Sequence, residues 1–96
     1  MWIRTQNKYI LANVNSFRIC KGDIDGDVYY SIHGHYDGHE QSLGYYSTKE
    51  KAINVLYEIQ EKINYEHSYT IDLMDDKVYL LNEDVNVYQM PQDDEV

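Results

Sequence analysis

Two Asp-Gly pairs, Asp25-Gly26 and Asp37-Gly38, constrain the fold of this chain more than any other feature of its sequence. An Asp-Gly pair between alternating polar and apolar runs is a strong local signal of a two-residue β-hairpin loop, because both residues tolerate the positive φ that the turn needs. The two turns therefore predict three consecutive antiparallel strands. Each turn also fixes a register, so the two registers can be compared.

The registers of the two hairpins agree on one apolar face. The first turn pairs Ile19 with Ile32, and the second pairs Ile32 with Leu43 and Tyr30 with Tyr45. A slip of one residue would move every side chain to the other face of the sheet. The predicted apolar face consists of Phe17, Ile19, Val28, Tyr30, Ile32, Leu43 and Tyr45.

The opposite face of the same strands is polar and aromatic, which is typical of a solvated sheet face or of a binding surface. Its members are Arg18, Cys20, Tyr29, Ser31, His33, His35, Glu40, Ser42 and Tyr46. Tyrosine provides rigid contact area with a polar end, and 11 of the 96 residues are Tyr. The predicted binding residues on this face are Arg18, Tyr29, His33, His35, Glu40 and Tyr46.

One amphipathic helix is predicted at about residues 48–64. Ser47 and Glu50 have the spacing of a capping box. The apolar positions that follow recur at helical spacing and predict a stripe packed on the apolar sheet face. The stripe consists of Ala52, Val55, Leu56, Ile59 and Ile63.

The remaining segments predict further strands. Residues 2–5 and 9–14 flank a short turn, residues 69–74 and 77–81 suggest a hairpin, and residues 85–90 suggest a last strand that ends at Pro91. The fold class is α+β: an antiparallel meander of hairpins with one helix on one face and strands after the helix. Residues 1–91 form one domain, and residues 92–96 are a disordered acidic tail. Because a core of this size is thin, we expect a homo-oligomer, most simply a homodimer that buries the second sheet face.

Charge and composition limit the function. Eight Lys and Arg against 17 Asp and Glu give a net charge of −9. This balance argues against direct binding to nucleic acid or to an anionic membrane surface, since both depend on Lys and Arg. The sequence has no signal-peptide pattern, no apolar run long enough for a membrane span and a single Cys, so we expect a cytoplasmic protein.

The His-rich turn and the lone Cys raise three chemical hypotheses. His33, His35 and Glu40 share a strand face and could ligate zinc, but a solvated polar hairpin explains them more simply, so no metal or other cofactor is predicted. The Asp-rich run at 23–27 lacks the Gly and Glu positions of a calcium loop. Cys20 could lie near His33, yet no orienting group or electropositive enclosure is visible, so the chain is not predicted to be an enzyme and has no catalytic residues.

The start of the helix is a possible anion site. Its exposed amides, together with nearby lysines, could receive a phosphate. The candidate residues are Ser47, Thr48, Lys49 and Lys51. An ordinary capped helix with solvated lysines explains the same residues.

Three segments carry a resemblance to a family of short uncharacterised proteins of Gram-positive bacteria and their phages. They are residues 1–8 (MWIRTQNK), residues 43–52 (LGYYSTKEKA) with the helical positions that follow, and residues 87–91 (VYQMP) with the acidic end. The His-rich turn is not part of this pattern. The resemblance implies a phage or mobile-element accessory protein, and it transfers no catalytic residues.

Three functions remain open at this point. The first is a non-enzymatic acidic inhibitor of a host factor, most plausibly an anti-defence (anti-CRISPR-like) protein that occupies a basic channel of a nucleic-acid-binding defence protein in the bacterial cytoplasm. The second is a protein that sequesters a nucleotide signal in a Tyr-lined pocket at a dimer interface. The third is a structural accessory protein with no specific ligand.

Overall fold

The computed structural model describes the backbone of residues 1–72 and 87–96 and the side chains of residues 1–63 and 87–96. It confirms the α+β class. In chain order the elements are β1 (Trp2–Arg4), β2 (Leu11–Asn13), β3 (Ser16–Ile24), β4 (Asp27–Tyr36), β5 (His39–Tyr46), α1 (Lys49–Asp72), β6 (Val87–Gln89) and a 3₁₀ turn (Asp93–Glu95). Among the described residues, the strands form two three-stranded sheets rather than a single sheet, with the orders β3-β4-β5 and β2-β1-β6.

Both Asp-Gly turns form as predicted. Asp25 and Gly26 have φ of 52° and 88°, and Asp37 and Gly38 have φ of 48° and 77°. These values give two-residue loops with positive φ at both positions, the conformation whose twist matches that of the flanking strands. The predicted pairing of β3 with β4 is therefore correct, with Ile19 opposite Ile32.

The predicted pairing of β4 with β5 is correct only up to a β-bulge. Beyond the register shift, Ile32 lies opposite Gly44 instead of Leu43, and Tyr30 lies opposite Tyr46 instead of Tyr45. One extra residue on β5 reverses the facing of the residues that follow it. The predicted faces of the two tyrosines are accordingly wrong: Tyr46 is buried in the core, with 1% exposure, and Tyr45 is 52% exposed on the opposite face.

The bulge gives Tyr46 a structural role. Its hydroxyl donates to the Pro91 carbonyl oxygen at 2.8 Å, which ties the C-terminal segment to the core. A Cβ at Gly44 would lie 3.0 Å from the Tyr46 hydroxyl oxygen, so the glycine leaves room for the ring to fold back along β5. Burial, followed by the nearby acidic groups, raises the pKa of the Tyr46 phenol well above its usual range.

The small sheet depends on a long-range contact that the sequence did not predict. β6 runs parallel to β1, with Ile3 opposite Tyr88, while β2 pairs antiparallel on the other side of β1. Gln6 joins this sheet to β5, because its backbone amide donates to the Leu43 carbonyl oxygen at 2.8 Å. Its side-chain amide also accepts from the Tyr45 N–H and donates to the Tyr45 carbonyl, each at 3.0 Å.

The helix α1 covers one face of the β3-β4-β5 sheet and buries Ala52, Val55 and Ile59, as the predicted stripe requires. The core also takes residues from both sheets and from the C-terminal segment. Its buried apolar members are Ile3, Ala12, Val14, Ile32, Leu43, Tyr46, Ala52, Val55, Ile59 and Met90. Ile63 is partly exposed, and Val28, which was predicted on the apolar face, is 43% exposed.

Two predictions about the second half of the chain need correction. The helix runs on to Asp72, so residues 69–72 are helical and not the start of a strand; no Pro or Gly interrupts the sequence there. The second strand of that predicted hairpin, at 77–81, lies outside the described residues. Residues 92–96, expected as a disordered tail, contain a 3₁₀ turn in which the Gln92 amide donates to the Glu95 carboxylate at 2.7 Å.

Candidate functional site

The face of the β3-β4-β5 sheet that points away from α1 holds most of the predicted binding residues, and we call it the open face. Strand alternation and the observed register place thirteen residues there: Ser16, Arg18, Cys20, Gly22, Ile24, Asp27, Tyr29, Ser31, His33, His35, Glu40, Ser42 and Tyr45. Of the predicted binding set, only Tyr46 is missing, because the bulge turns it into the core. Tyr45 takes its place on the open face.

A polar cluster occupies the middle of the open face around the Glu40 carboxylate. The Arg18 guanidinium donates to Glu40 Oε1. His33 Nδ1 lies 3.1 Å from the same oxygen, and His35 Nε2 lies 3.6 Å from Glu40 Oε2. Neighbouring strands bring these groups together, since Arg18 lies opposite His33 and His35 lies opposite Glu40. The cluster therefore links all three strands of the sheet.

Ser31 extends the cluster toward β3. Its hydroxyl lies 2.8 Å from His33 Nε2 and 3.5 Å from the Cys20 carbonyl oxygen. The order serine, histidine, carboxylate is that of a nucleophilic triad. Ser31 is only 3% exposed, however, so its hydroxyl cannot reach a substrate carbonyl in this conformation. The arrangement acts as a hydrogen-bonded support for the His33 ring.

Cys20 completes a group of potential metal ligands. One ligand atom from each of Cys20, His33 and Glu40 lies within 4.8 Å of the others. Thiolate, imidazole and carboxylate are all zinc ligands. The proximity of Cys20 to His33 was foreseen from the alternation of the strands, whereas its proximity to Glu40 depends on the register of β5.

An apolar patch lies at the end of the same sheet, next to the β3-β4 turn. Tyr29 and Tyr45 meet edge to face, with ring centroids 5.4 Å apart, and the Tyr29 ring crosses Gly22 where any Cβ would overlap it. A groove of about 410 Å³ runs past these rings. Its apolar lining residues are Ile24, Val28, Tyr29, Tyr45 and Tyr46.

The predicted anion site at the start of α1 is occupied by an acidic group of the protein itself. The Asp93 carboxylate accepts from the backbone amide of Ser47 at 2.8 Å and from its hydroxyl at 3.0 Å. Lys51 Nζ lies 3.4 Å from the same carboxylate. The hydrogen bonds from Ser47, followed by the charge of Lys51, lower the pKa of Asp93 below its usual range.

The helix cap also differs from the predicted one. Thr48, not Ser47, caps the helix, because the Thr48 hydroxyl accepts from the Lys51 amide at 3.1 Å. Ser47 is therefore free to bind Asp93. Lys49 points to a separate groove that it shares with Lys21 and Tyr30. The four predicted anion-site residues thus do not form one empty site.

Comparison with protein-family models, with curated proteins and with solved structures finds no match to this chain. Within the described residues, no helix is long and apolar enough to cross a membrane.

Sequence reasoning alone did not assign functional importance to Ser31 or Tyr45. Ser31 could have been found, because it lies two residues before His33 on the same strand and must share its face. Tyr45 could not, because the bulge that exposes it has no local sequence signal beyond Gly44.

Proposed function

We propose that this protein is a non-enzymatic inhibitor that binds a host protein through the open face of its β3-β4-β5 sheet. The partner is a basic protein surface, namely the nucleic-acid channel of a bacterial defence protein in the cytoplasm. The protein does not bind nucleic acid itself, and it acts as a homo-oligomer. The observation that supports this proposal most strongly is the exposed apolar patch beside the acidic β3-β4 turn.

The patch offers anchor residues for a partner. Ile24, Val28 and Tyr45 are 62%, 43% and 52% exposed and lie around one groove. Contiguous exposed apolar groups with a polar rim are characteristic of interaction sites, and tyrosine is among the residues that contribute most to binding energy. The edge-to-face contact with Tyr29 holds Tyr45 in place before binding, which reduces the entropy lost on association.

Charge on the same turn favours a basic partner. Asp23, Asp25 and Asp27 flank the apolar patch, and the whole chain carries −9. Such a field accelerates encounter with a positive surface and disfavours acidic partners. Nucleic acid and this protein would then compete for the same basic channel.

Sequestration of a nucleotide signal is less well supported. That hypothesis places one or two phosphates near Arg4, Arg18, Lys49 and Lys51. At the start of the helix, Ser47 and Lys51 instead bind the Asp93 carboxylate. A ligand phosphate would have to displace this internal group.

The proposal is tested by affinity capture from a bacterial lysate. The bait is the full chain, and retained proteins are identified by mass spectrometry. We expect the wild-type chain to retain a basic nucleic-acid-binding protein that excess duplex DNA or RNA displaces. The double variant Ile24→Ser, Tyr45→Ser removes two anchors, and we expect it to retain at least ten-fold less of that protein.

Tyr57→Ser is the matched control, because Tyr57 is equally exposed but lies on the helix. It should retain the partner as the wild type does. Circular dichroism of each variant confirms that the fold is intact. Equal retention by the double variant and by the wild type would contradict the assignment of the open face, and the absence of any basic partner would contradict the proposed function.

A further inference from the structure

We propose that the open face also binds a divalent metal ion of the zinc class, through Cys20 Sγ, His33 Nδ1 and a carboxylate oxygen of Glu40. The site is independent of the proposed inhibitor function, because the metal ligands lie in the polar cluster and not in the apolar patch. Loss of partner binding and loss of metal binding are therefore measured separately.

The three ligand atoms are near enough to one another to bind one ion after small side-chain rotations. Zinc bonds of 2.0–2.3 Å place neighbouring ligand atoms roughly 3.5 Å apart. His33 Nδ1 and Glu40 Oε1 are 3.1 Å apart, and one ring nitrogen of His33, the Cys20 Sγ and a Glu40 carboxylate oxygen lie within 4.8 Å of one another. The His33 side chain is 23% exposed and that of Glu40 is 34% exposed, so an ion has access and small rotations can close the remaining gap.

The surrounding groups orient His33 for this role. A histidine ligand generally donates its second ring N–H to an acceptor, which fixes the ring and its tautomer. His33 Nε2 lies 2.8 Å from the Ser31 hydroxyl, and that hydroxyl in turn lies 3.5 Å from the Cys20 carbonyl oxygen. With Nε2 protonated and donating to Ser31, Nδ1 presents its lone pair toward Glu40.

A fourth position remains for water or for His35. His35 Nε2 is 3.6 Å from Glu40 Oε2, so it lies next to the site but outside the close group of three. Ser42 lies opposite His33, and its hydroxyl oxygen is buried without a hydrogen-bond partner among the described residues. A metal-bound water on this side of the ion would give that hydroxyl a partner.

The ligand set selects the metal. A thiolate and an imidazole favour zinc-class ions, whereas magnesium and calcium prefer sites made of oxygen alone. The thiolate and the carboxylate together neutralise the two positive charges of the ion. Arg18 opposes binding, because its guanidinium donates to Glu40 and places a positive charge beside the ion.

The experiment uses the full chain, treated with a chelator and titrated with Co²⁺ as a spectroscopic probe and with Zn²⁺ in a calorimeter. We expect one ion per chain, a thiolate-to-cobalt absorption band in the near ultraviolet and intense visible bands of a four-coordinate ion. The variants Cys20→Ser, His33→Gln and Glu40→Gln should each weaken binding by about 100-fold or more. Cys20→Ser should also abolish the near-ultraviolet band.

Three further variants distinguish a specific metal site from nonspecific metal binding. Ser31→Ala should weaken binding about 10- to 100-fold, as is usual for a partner of a histidine ligand. Arg18→Gln should tighten binding several-fold, because it removes a positive charge that lies beside the ion. His39→Gln is the matched control and should change nothing, since His39 lies opposite Tyr36 and its side chain is on the other face.

Circular dichroism verifies that each variant remains folded, and the conservative Cys20→Ser change keeps the test valid if another variant unfolds. Absence of binding heat and of cobalt bands in the wild type would refute the site. Cobalt bands that persist unchanged in Cys20→Ser would refute the assignment of the ligands. In either case the cluster would be a hydrogen-bonded network around Glu40 and nothing more.

Discussion

Gln6 joins the two sheets, and its replacement by Glu tests that junction with almost no change in shape. The Gln6 side-chain nitrogen donates to the carbonyl oxygens of Tyr45 and Pro91 at 3.0 and 3.1 Å, while its oxygen accepts from the Tyr45 amide at 3.0 Å. A carboxylate at this position keeps the acceptor but loses both donations. It also places a negatively charged oxygen against two carbonyl oxygens.

The expected cost follows from these contacts. Each lost hydrogen bond contributes about 1 kcal/mol, and the repulsion between oxygens adds to the loss. We expect Gln6→Glu to lower the free energy of unfolding by about 2–3 kcal/mol at pH 7. In a chain of this length that corresponds to a fall in Tm of roughly 10–20 °C.

The cost should depend on pH in a defined direction. An unfolded Glu carboxyl has a pKa of about 4.3. The two facing carbonyls disfavour the charged form in the folded state, so the pKa of the carboxyl at position 6 is raised there. The penalty is therefore complete well above the folded pKa and shrinks as pH falls through it, because the protonated group donates one hydrogen bond again. At about pH 3.5 we expect roughly 1 kcal/mol to remain.

Urea unfolding measures this difference, followed by far-ultraviolet circular dichroism and by the fluorescence of Trp2. Trp2 is the only tryptophan and lies on β1, so its signal reports on the small sheet. Gln60→Glu is the control, because it adds the same charge at an exposed helix position and should cost less than about 0.5 kcal/mol. Equal stability of the two variants at pH 7, or a Gln6→Glu penalty that does not shrink in acid, would refute this reasoning.

Three other perturbations have defined outcomes. As pH rises from 8 to 11, the Tyr46→Phe variant should lose less stability than the Tyr57→Phe variant. Because the pKa of Tyr46 is raised in the folded protein, its contribution to the free energy of unfolding is complete below about pH 10 and is lost above it, where the tyrosine of the unfolded chain ionises. Thermal melts between pH 8 and pH 11 measure this, and identical profiles would contradict it. Asp93→Asn should lower stability at pH 7 by less than about 1 kcal/mol, since the group is exposed to solvent. In urea titrations the difference should shrink as pH falls through the lowered folded-state pKa of Asp93, because this contribution exists only while the carboxylate is charged. Gly22→Ala should displace the Tyr29 ring and reduce retention of the partner several-fold while leaving Co²⁺ binding unchanged, and an unaltered Tyr29 environment by NMR would contradict it.

The part of the candidate site that follows from the alternation of side chains along the strands could be predicted from the sequence. Once the two turns had fixed the strands, Arg18, His33, His35 and Glu40 had to share a face, and the structure places them together around one carboxylate. Tyr46 was assigned to the wrong face, because the bulge in β5 is one residue long and the prediction assumed an uninterrupted ladder.

The predicted anion site differs from the structure for another reason. Ser47, Thr48 and Lys51 do lie at a helix start, and the sequence correctly indicates a place for negative charge. What occupies it is Asp93, more than 40 residues away along the chain, and no periodicity in a single sequence connects the two. The acidic end of the chain is therefore a structural element that binds Ser47 and Lys51 at the start of α1.

By itself the sequence determined the two hairpins, the register of β3 with β4, the apolar stripe of the helix and the α+β class. These features follow from turn chemistry and from periodicities of 2 and 3.6 residues, which operate over short distances along the chain. Only the tertiary structure decided the parallel pairing of β6 with β1, the bulge that exchanges Tyr45 and Tyr46, and the return of Asp93 to the helix. Each of these depends on which distant segment fills a space or satisfies a polar group, and that choice is made by the packed core as a whole.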